Sequence, residues 1–319
     1  MADIKTITEK IKEGYLIGPD EAGTIEASVA TAPLTAAADE VRAHLMGNRI
    51  DTCSIMNARS GRCSEDCKWC SQSAHHSSGI DVYPLVSQEQ ALKHALDNHS
   101  KGVGRFSLVT SGRAMSDSEI DAVCGIYRAI AEKCDIYLCA SMGLLTLEQL
   151  QKLKDSGVGH YHCNIETAPS YFPSLCTTHT VGDKLRTIEW AKEAGLKICS
   201  GGIIGMGETA AQRIEMAFAL RDIGVVSIPV NILNPIPGTR LENTPQLSDD
   251  EILRAFAMFR LINPAAHIRF AGGRTRMANI QEKALAGGVS AALVGDLLTT
   301  VGFSIEQDKA MFEKCGFSC

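Results

Sequence analysis

From residue 50 onward, short runs of β-branched and apolar residues alternate with stretches whose apolar residues recur every three or four positions. Such alternation is typical of repeated βα units, which build parallel sheets covered by helices. It predicts eight strands, at residues 50–56, 105–110, 136–141, 160–165, 197–204, 226–232, 267–271 and 291–295. The intervening helices include residues 118–132, 147–155, 183–194, 210–223 and 248–261. Eight such units in 319 residues favour an α/β fold with one closed (β/α)8 barrel of the TIM type over an open doubly wound sheet.

The chain divides into three expected parts. Residues 1–46 form an amphipathic helical extension, residues 47–303 the barrel, and residues 304–319 a short C-terminal helix and cysteine tail. The net charge of −6 argues against a nucleic-acid partner and favours a small-molecule substrate. We expect a cytoplasmic enzyme with no membrane partner, because no apolar run approaches the roughly 20 residues of a membrane span and the sequence opens without a secretory signal.

Cys63, Cys67 and Cys70 follow the first predicted strand with the spacing Cys-x3-Cys-x2-Cys, and Trp69 precedes the third cysteine. A compact loop with this spacing can place three thiolates on three corners of a cubane iron–sulfur cluster. The fourth iron then has no protein ligand and is free to bind another molecule. Twelve cysteines in a reduced enzyme are consistent with several metal ligands.

Two other uses of these cysteines compete with the cluster. A zinc site completed by His75 and His76 is the first, but no second cysteine pair of the usual spacing follows. A disulfide framework is the second, and a chain of this size without a secretory signal does not need one. The iron–sulfur interpretation is therefore favoured.

Taken together, these features resemble the radical S-adenosylmethionine (SAM) superfamily, and residues 35 to 302 or so resemble its biotin synthases. The triad loop after the first strand of a barrel carries the likeness to the superfamily. The narrower resemblance rests on a set of motifs, at residues 51–55, 59–72, 162–167, 197–208, 230–234 and 268–273. Each of these motifs is weak alone and specific in combination.

This resemblance implies a reduced [4Fe–4S] cluster that cleaves SAM to methionine and a 5′-deoxyadenosyl radical. The radical would remove hydrogen from two carbons of dethiobiotin in turn, and a second, auxiliary iron–sulfur cluster would supply the sulfur that gives biotin. The resemblance further implies reduced flavodoxin or ferredoxin as the electron donor and a homodimer. The protein itself would bind, orient and exclude water, since cofactors carry the hard chemistry.

Several residues are implied to bind SAM. Asn164 and Glu166, two apart on the predicted fourth strand, would point into the lumen and hold the ribose hydroxyls. Gly201 and Gly202 would let the backbone approach the cofactor closely. The family's arginine for the methionyl carboxylate falls on Lys184, with Arg186 two residues on. A polar pair at the barrel mouth and glycines at a strand bulge are the alternative interpretations.

For the substrate, the resemblance assigns Asn231 to the ureido ring of dethiobiotin. Arg59 stands where the family more often has lysine, and Thr299 and Thr300 match residues near the substrate carboxylate. Each of these residues could instead be a structural cap or a solvated loop residue.

The auxiliary cluster departs from the family's usual form. Cys139, Cys199 and Arg269 match three of four positions around a [2Fe–2S] cluster, whereas the fourth position is Ser107, a poorer ligand for iron than a thiolate. Our hypothesis is that the auxiliary cluster is of the four-iron type. In it, Cys315 and Cys319 fold back over the barrel mouth and join Cys139 and Cys199.

An alternative is that the last helix carries this tail down the outside of the barrel and leaves two surface thiols. The remaining cysteines are predicted to be packing residues, with Cys163 facing the helix layer; the others are Cys53, Cys124, Cys134 and Cys176. Two competing functions stay open, a related maturase of the [FeFe] hydrogenase cofactor and a non-catalytic iron–sulfur carrier.

Overall fold

Within the residues that the structure describes, the sheet contains nine parallel strands in the order β5-β4-β3-β2-β1-β9-β8-β7-β6, with a further pairing between β5 and β7. The computed structural model describes residues 3–295, 298 and 302–319. The strands are β1 Asp51–Arg59, β2 Arg105–Thr110, β3 Tyr137–Ser141, β4 His160–His162, β5 Lys197–Cys199, β6 Gly202–Ile204, β7 Ser227–Ile232, β8 His267–Phe270 and β9 Ala291–Leu293.

Eleven helices are present in the described residues. They are α1 Ile4–Lys12, α2 Pro19–Ser28, α3 Thr31–Met46, α4 Gln88–Ser100, α5 Asp117–Ala131, α6 Leu147–Asp155, α7 Val181–Glu193, α8 Ala210–Ile223, α9 Asp249–Ile262, α10 Gln281–Leu285 and α11 Ile305–Lys314. None of them is long and apolar enough to cross a membrane. The five helices predicted from periodicity correspond to α5–α9, with ends that differ by no more than two residues.

Most of the barrel helices begin with a reciprocal capping box, in which a serine or threonine side chain accepts from the backbone of the third residue. Ser248 and Glu251 form one of these boxes. Each box satisfies backbone N–H groups that the first helical turn leaves without partners. The barrel helices therefore start where the sequence places a capping residue.

The predicted fifth strand is interrupted, which explains why nine strands are present instead of eight. Ser200 and Gly201 separate β5 from β6, and both pieces pair with β7. A Cβ at Gly201 would lie 2.0 Å from the carbonyl oxygen of Pro229 on β7. This close backbone approach breaks the regular ladder, so β5 and β6 together form one irregular strand of an eight-stranded barrel.

The strand registers show that the barrel is closed. Following the paired residues once round the sheet, from β1 through each neighbour and back through β9, displaces the starting residue by eight positions. A shear of eight on eight strands is the geometry of a TIM barrel. The (β/α)8 prediction is confirmed.

The three N-terminal helices pack on the barrel's helix layer. Helix α3 contacts α9, α2 contacts α8, and α1 contacts α3. Arg254 on α9 pairs with Glu26 on α2 at 3.2 Å. Apolar residues of these helices belong to the same hydrophobic core cluster as residues of the barrel. The packing therefore shows no division of the chain at residue 46, and the boundary proposed there stays a prediction.

After α11, the C-terminal tail runs along the segment that precedes β1. The backbone N–H of Ser318 donates to Asn48, and the N–H of Ile50 donates to Ser318, at 2.9 and 2.8 Å. Phe317 is buried, and the Arg42 guanidinium lies 4.6 Å from its ring centroid. The tail is thus fixed at the amino-terminal end of β1, the end of the barrel opposite the mouth.

Candidate functional site

The cysteine triad lies in a curled loop at the carboxyl end of β1. The backbone N–H of Cys63 donates to Gln72 at 2.9 Å, Ala74 donates back to Cys63 at 2.7 Å, and Cys70 donates to Cys67 at 3.0 Å. All three cysteines are partly buried. The loop therefore gathers the three side chains at the barrel mouth, where TIM-barrel active sites lie.

Burial keeps the thiols of this loop protonated when no metal is bound. Burial raises the pKa of the Cys63 and Cys67 thiols, and it raises the pKa of Cys70 to about 11. Without metal these groups are protonated and neutral, whereas bound iron takes thiolates. Three half-buried thiols on one short loop fit a [4Fe–4S] cluster.

A segment between β4 and α7 holds the triad loop in place. Asp66 accepts hydrogen bonds from the backbone N–H groups of Thr177 and Thr178, at 2.8 and 3.2 Å. Glu65 accepts from the Thr178 hydroxyl at 2.8 Å and lies 2.5 Å from Nδ1 of His179. Sequence reasoning missed this clamp, although two consecutive acidic residues within a cluster loop were the available signal.

Cys176 belongs to this segment, and the prediction that it is a packing residue is incomplete. Its Sγ lies 3.7 Å from that of Cys67 and 3.3 Å from Nδ1 of His179. The ligand atoms of Cys67, Cys176 and His179 all lie within 4.8 Å of one another. His75 and His76, considered for zinc, instead contact the backbone oxygens of Ser64 and Cys70.

Asn164 and Glu166 do come together, but not on a regular strand, because β4 ends at His162. The Asn164 amide donates to Glu166 Oε2 at 3.3 Å, and its oxygen accepts from the Gly201 N–H at 2.9 Å. Glu166 has φ of +72°, a conformation that costs energy for a residue with a Cβ. The pair is therefore held at the mouth by the broken fifth strand.

Gly202 is required by this geometry. A Cβ there would lie 2.4 Å from the carbonyl oxygen of Glu166 and 2.5 Å from Met216 Sδ. Glu166 and Gly202 form an isolated parallel bridge. Gly201 and Gly202 thus allow two backbone segments to come into close contact beside Asn164. A ligand bound at this part of the barrel mouth would contact main-chain groups.

Lys184 and Arg186, the two residues of α7 implied to bind SAM, point in opposite directions. Lys184 is buried, with Nζ 3.8 Å from Glu166 Oε1, and Arg186 is exposed, with Asp183 at 3.8 Å. Burial alone would lower the pKa of Lys184, but the Glu166 carboxylate outweighs it and raises that pKa. Positions two apart on a helix lie on opposite faces, so the structure does not bring the exposed Arg186 together with Lys184 and Glu166.

The candidate substrate residues are held by the protein itself. The Asn231 amide donates to Gly202 O at 3.0 Å, and its oxygen accepts from the Gly272 N–H at 2.8 Å. Arg59 pairs with Glu119 at 2.6 Å and donates to the Ser111 carbonyl at 3.0 Å. Both residues line the carboxyl ends of their strands. Thr299 and Thr300 lie outside the described residues.

Deeper in the lumen lie the residues assigned to the auxiliary cluster. Cys139 and Ser107 are buried and in register on neighbouring strands. The sulfur of Cys199 lies 3.3 Å from Nδ1 of His162. Cys53 is also here: its thiol lies beside that of Cys139, which lowers the pKa of Cys53, and Cys53 in turn raises the pKa of Cys139. Cys53, predicted to be a packing residue, is buried, and it lies two residues from Asp51, whose carboxylate meets Arg269 in the lumen.

Arg269 lies in the lumen beside the thiols of Cys53, Cys139 and Cys199, and we call the space around these four side chains the chamber. Its guanidinium donates to the Asp51 carboxylate, to the carbonyls of Asp51 and Ala292 and to the Ser227 hydroxyl. Burial alone would raise the pKa of Asp51, but Arg269 and Arg105 outweigh it and lower that pKa to about 2. The chamber therefore keeps a buried positive charge beside its thiols.

The hypothesis that Cys315 and Cys319 fold over the barrel mouth is wrong. Backbone pairing fixes the tail at the opposite end, where Cys319 is exposed and Cys315 is partly buried beside Glu282 and Lys314. Partial burial raises the pKa of the Cys319 thiol, and the nearby charged groups also influence that pKa; they are Lys309, Glu313, Asp308 and Arg49. The alternative path, along the outside of the barrel, is the one observed. Cys163 packs in the main core, as predicted.

Comparison with known proteins gives two family matches. Residues 58–220 match the radical SAM superfamily, and residues 229–318 match the biotin and thiamin synthesis associated domain. The chain is 50% identical over 316 residues to the biotin synthase of Parabacteroides distasonis, covering 99% of this chain and 97% of that one. It is 49% identical over 316 residues to the biotin synthase of Acetivibrio thermocellus, covering 98% and 99%.

Solved structures share the fold. Methylornithine synthase superposes with a TM-score of 0.82 at 18% identity, covering 98% of this chain and 96% of that one. The FeFe-hydrogenase maturase HydG from Carboxydothermus hydrogenoformans superposes with a TM-score of 0.81 at 21% identity, covering 99% and 78%. At these identities the likeness establishes the barrel and no more.

A closed parallel barrel with the Cys63, Cys67 and Cys70 loop after its first strand defines a radical SAM enzyme. The extent of the match then narrows the class, because half of the residues are identical over nearly the whole length of two curated relatives. The chain belongs to the biotin synthase family.

Proposed function

We propose that this protein converts dethiobiotin to biotin by radical sulfur insertion. The observation that carries the proposal is one lumen with two groups of thiols, the triad at the mouth and Cys139 with Cys199 below. Asn164, Glu166 and Asn231 lie at the carboxyl ends of the strands, where they meet around Gly201 and Gly202. A substrate held there would lie between a radical source and a sulfur source.

When bound, the mouth cluster and SAM supply a 5′-deoxyadenosyl radical and the auxiliary cluster supplies sulfur. The residues of the chain position these groups. Glu166 and Asn164 offer a carboxylate and an amide for ribose hydroxyls, and the Lys184 ammonium offers charge for the methionyl carboxylate. Lys184 is a point charge and cannot form the two-pronged contact of an arginine.

The auxiliary cluster is proposed to be of the four-iron type. Ser107 replaces a thiolate that the family's two-iron form would use, and a hydroxyl is a poorer ligand for iron in such clusters. Dethiobiotin is the proposed substrate, reduced flavodoxin or ferredoxin the proposed electron donor, and a homodimer the proposed assembly. These three assignments rest on family membership.

The test is turnover of the anaerobically reconstituted chain with SAM, dethiobiotin and reduced flavodoxin. We expect biotin together with two molecules of 5′-deoxyadenosine for each biotin. Cys70→Ala should form neither product, whereas Cys124→Ser, a buried cysteine on α5 outside the lumen, should behave as the parent. Release of 5′-deoxyadenosine without any biotin would contradict the proposal and favour a maturase-like reaction.

A further inference from the structure

The strand registers arrange four side chains at one height in the lumen. Cys53 on β1 pairs with Arg105 on β2, and Arg105 pairs with Tyr137 on β3. Cys139 lies two residues after Tyr137 on the same strand. The same two-residue step leads from Cys139 to Cys199. It leads again from Cys199 to Arg269, and from Arg269 back to Cys53. In a barrel of shear eight, that step on alternate strands defines one layer of four inward side chains.

Ser107 lies outside this layer. It is on β2, between the strands that carry Cys53 and Cys139, and one residue nearer the mouth than the layer. By the same two-residue step its own layer contains His162, whose ring contacts Cys199 from above. The serine side chain at this point is short, so it takes up little of the space in front of β2 between Cys53 and Cys139.

From this layer we infer that Cys53, Cys139 and Cys199 are the three thiolate ligands of the auxiliary cluster. The three thiols come from the alternate strands β1, β3 and β5 of this layer; Cys53 and Cys139 are buried and Cys199 is partly buried. Three thiolates suffice for three corners of a four-iron cluster and leave one iron without a protein ligand. Cys53 thus replaces the sulfur that Ser107 lacks.

Arg269, the fourth member of the layer, supplies charge and not a ligand atom. All three of its nitrogens donate to oxygen atoms of Asp51, Ala292 and Ser227. A guanidinium so engaged has no lone pair for iron, and its positive charge stabilises a neighbouring anionic cluster. Asp51 holds Arg269 in this position. The inference assigns ligands to the second cluster, and so it rests on the proposed function.

Iron content tests the inference directly. A full-length chain with Cys63→Ser, Cys67→Ser and Cys70→Ser lacks the mouth ligands, so its iron and labile sulfide report on the auxiliary site. After anaerobic reconstitution we expect about four irons per chain in this background. Adding Cys53→Ser should lower the iron at least fourfold and abolish the Mössbauer signal of the cluster. Adding Cys124→Ser should change neither.

Two further variants complete the test. Cys53→Ala is measured beside Cys53→Ser, because a hydroxyl in a dry site can itself impair folding, and circular dichroism of the metal-free chains checks the fold of each. Ser107→Cys added to Cys53→Ser should restore iron, which a purely structural role for Cys53 would not produce. Parent-level iron in a folded Cys53 variant, an equal loss in Cys124→Ser, or no restoration by Ser107→Cys would each overturn the inference.

Failure of this inference is distinguishable from failure of the proposed function. Retained auxiliary iron in the Cys53 variants would refute the ligand assignment and leave biotin formation by the parent untouched. Conversely, a parent chain that binds both clusters and forms no biotin would refute the proposed function, and the iron counts would still decide the role of Cys53.

Discussion

The sulfur atoms of Cys67 and Cys176 lie 3.7 Å apart, although 109 positions separate the two residues in the chain. Cys176 is held by Asp66 and His179, both of which also belong to the clamp on the triad loop. Cys67, a proposed cluster ligand, thus has a second thiol at its side that the spacing of the triad does not predict.

Oxidation of the metal-free protein should join these two sulfurs. With ferricyanide as the oxidant, each pair of thiols loses two protons and two electrons and forms one disulfide. We expect peptide mapping to find a Cys67–Cys176 link in the parent, and Cys176→Ser to lack it. Because Cys176 is not in the triad, Cys176→Ser should keep its [4Fe–4S] content under anaerobic conditions. Loss of that content, or a link to another cysteine instead, would contradict the prediction.

Substitution of Gly202 should damage the mouth of the barrel. A Cβ at this position meets Glu166 backbone oxygen at 2.4 Å, so Gly202→Ala must displace the Glu166 segment. We expect a loss of about 1–3 kcal/mol in the free energy of unfolding and weaker SAM binding, measured by urea unfolding and equilibrium dialysis. Gly125→Ala is the matched control, since nothing lies within 4 Å of its added Cβ in α5, and it should stabilise by about 0.5–1 kcal/mol. Equal effects of the two substitutions would refute the close-approach argument.

Lys184 and Arg186 should differ in their effect on SAM. Lys184→Met removes the ammonium beside Glu166, and we expect the dissociation constant of SAM to rise about tenfold or more, as for loss of a hydrogen bond to a charged group. Arg186→Ala, on the exposed face of α7, should leave it unchanged. Equilibrium dialysis with the cluster-loaded protein measures both. A larger effect for Arg186→Ala would show that α7 presents its other face to the cofactor.

Arg260 should be essential for stability though it lies far from the mouth. It is fully buried and donates to the carbonyls of Gly288, Pro264 and Ala266 and to the Ser290 hydroxyl at 2.7–2.9 Å, and no carboxylate in the described part of the chain pairs with it. Arg260→Met would leave these buried oxygens unsatisfied, so we expect unfolding free energy to fall by about 3 kcal/mol. Arg128→Met, at an exposed position of α5, should change it by less than about 0.5 kcal/mol. A small effect at Arg260 would mean that water replaces its bonds.

Removal of residues 315–319 should reduce stability and spare the clusters. Truncation loses the burial of Phe317 and the backbone bonds between Ser318 and the segment before β1, which we expect to cost about 1.5–3 kcal/mol. The double variant of Cys315→Ser and Cys319→Ser keeps those contacts and serves as the control. Iron per chain should match the parent in both. A lower iron content in the double variant would indicate that Cys315 and Cys319 bind a cluster and would contradict the prediction.

Much of the architecture was readable in the sequence because it depends on local patterns. Apolar periodicity and capping residues locate the helices, and the ends of α5–α9 differ from prediction by two residues at most. Backbone contacts between distant strands were not readable. The break at Ser200 and Gly201 arises because β7 approaches β5 too closely for a side chain, and no local pattern encodes that approach.

By itself, the sequence determined the βα repeat, the cysteine triad with its open iron position and membership of the biotin synthase family, since each depends on spacing along the chain. Only the tertiary structure decided which way Lys184 and Arg186 point, where the tail lies and which thiols share a layer. Those facts depend on strand register and helix rotation, which distant segments fix together. The register of β1 against β3 turns Cys53, which the sequence suggested was packing, into a neighbour of Cys139.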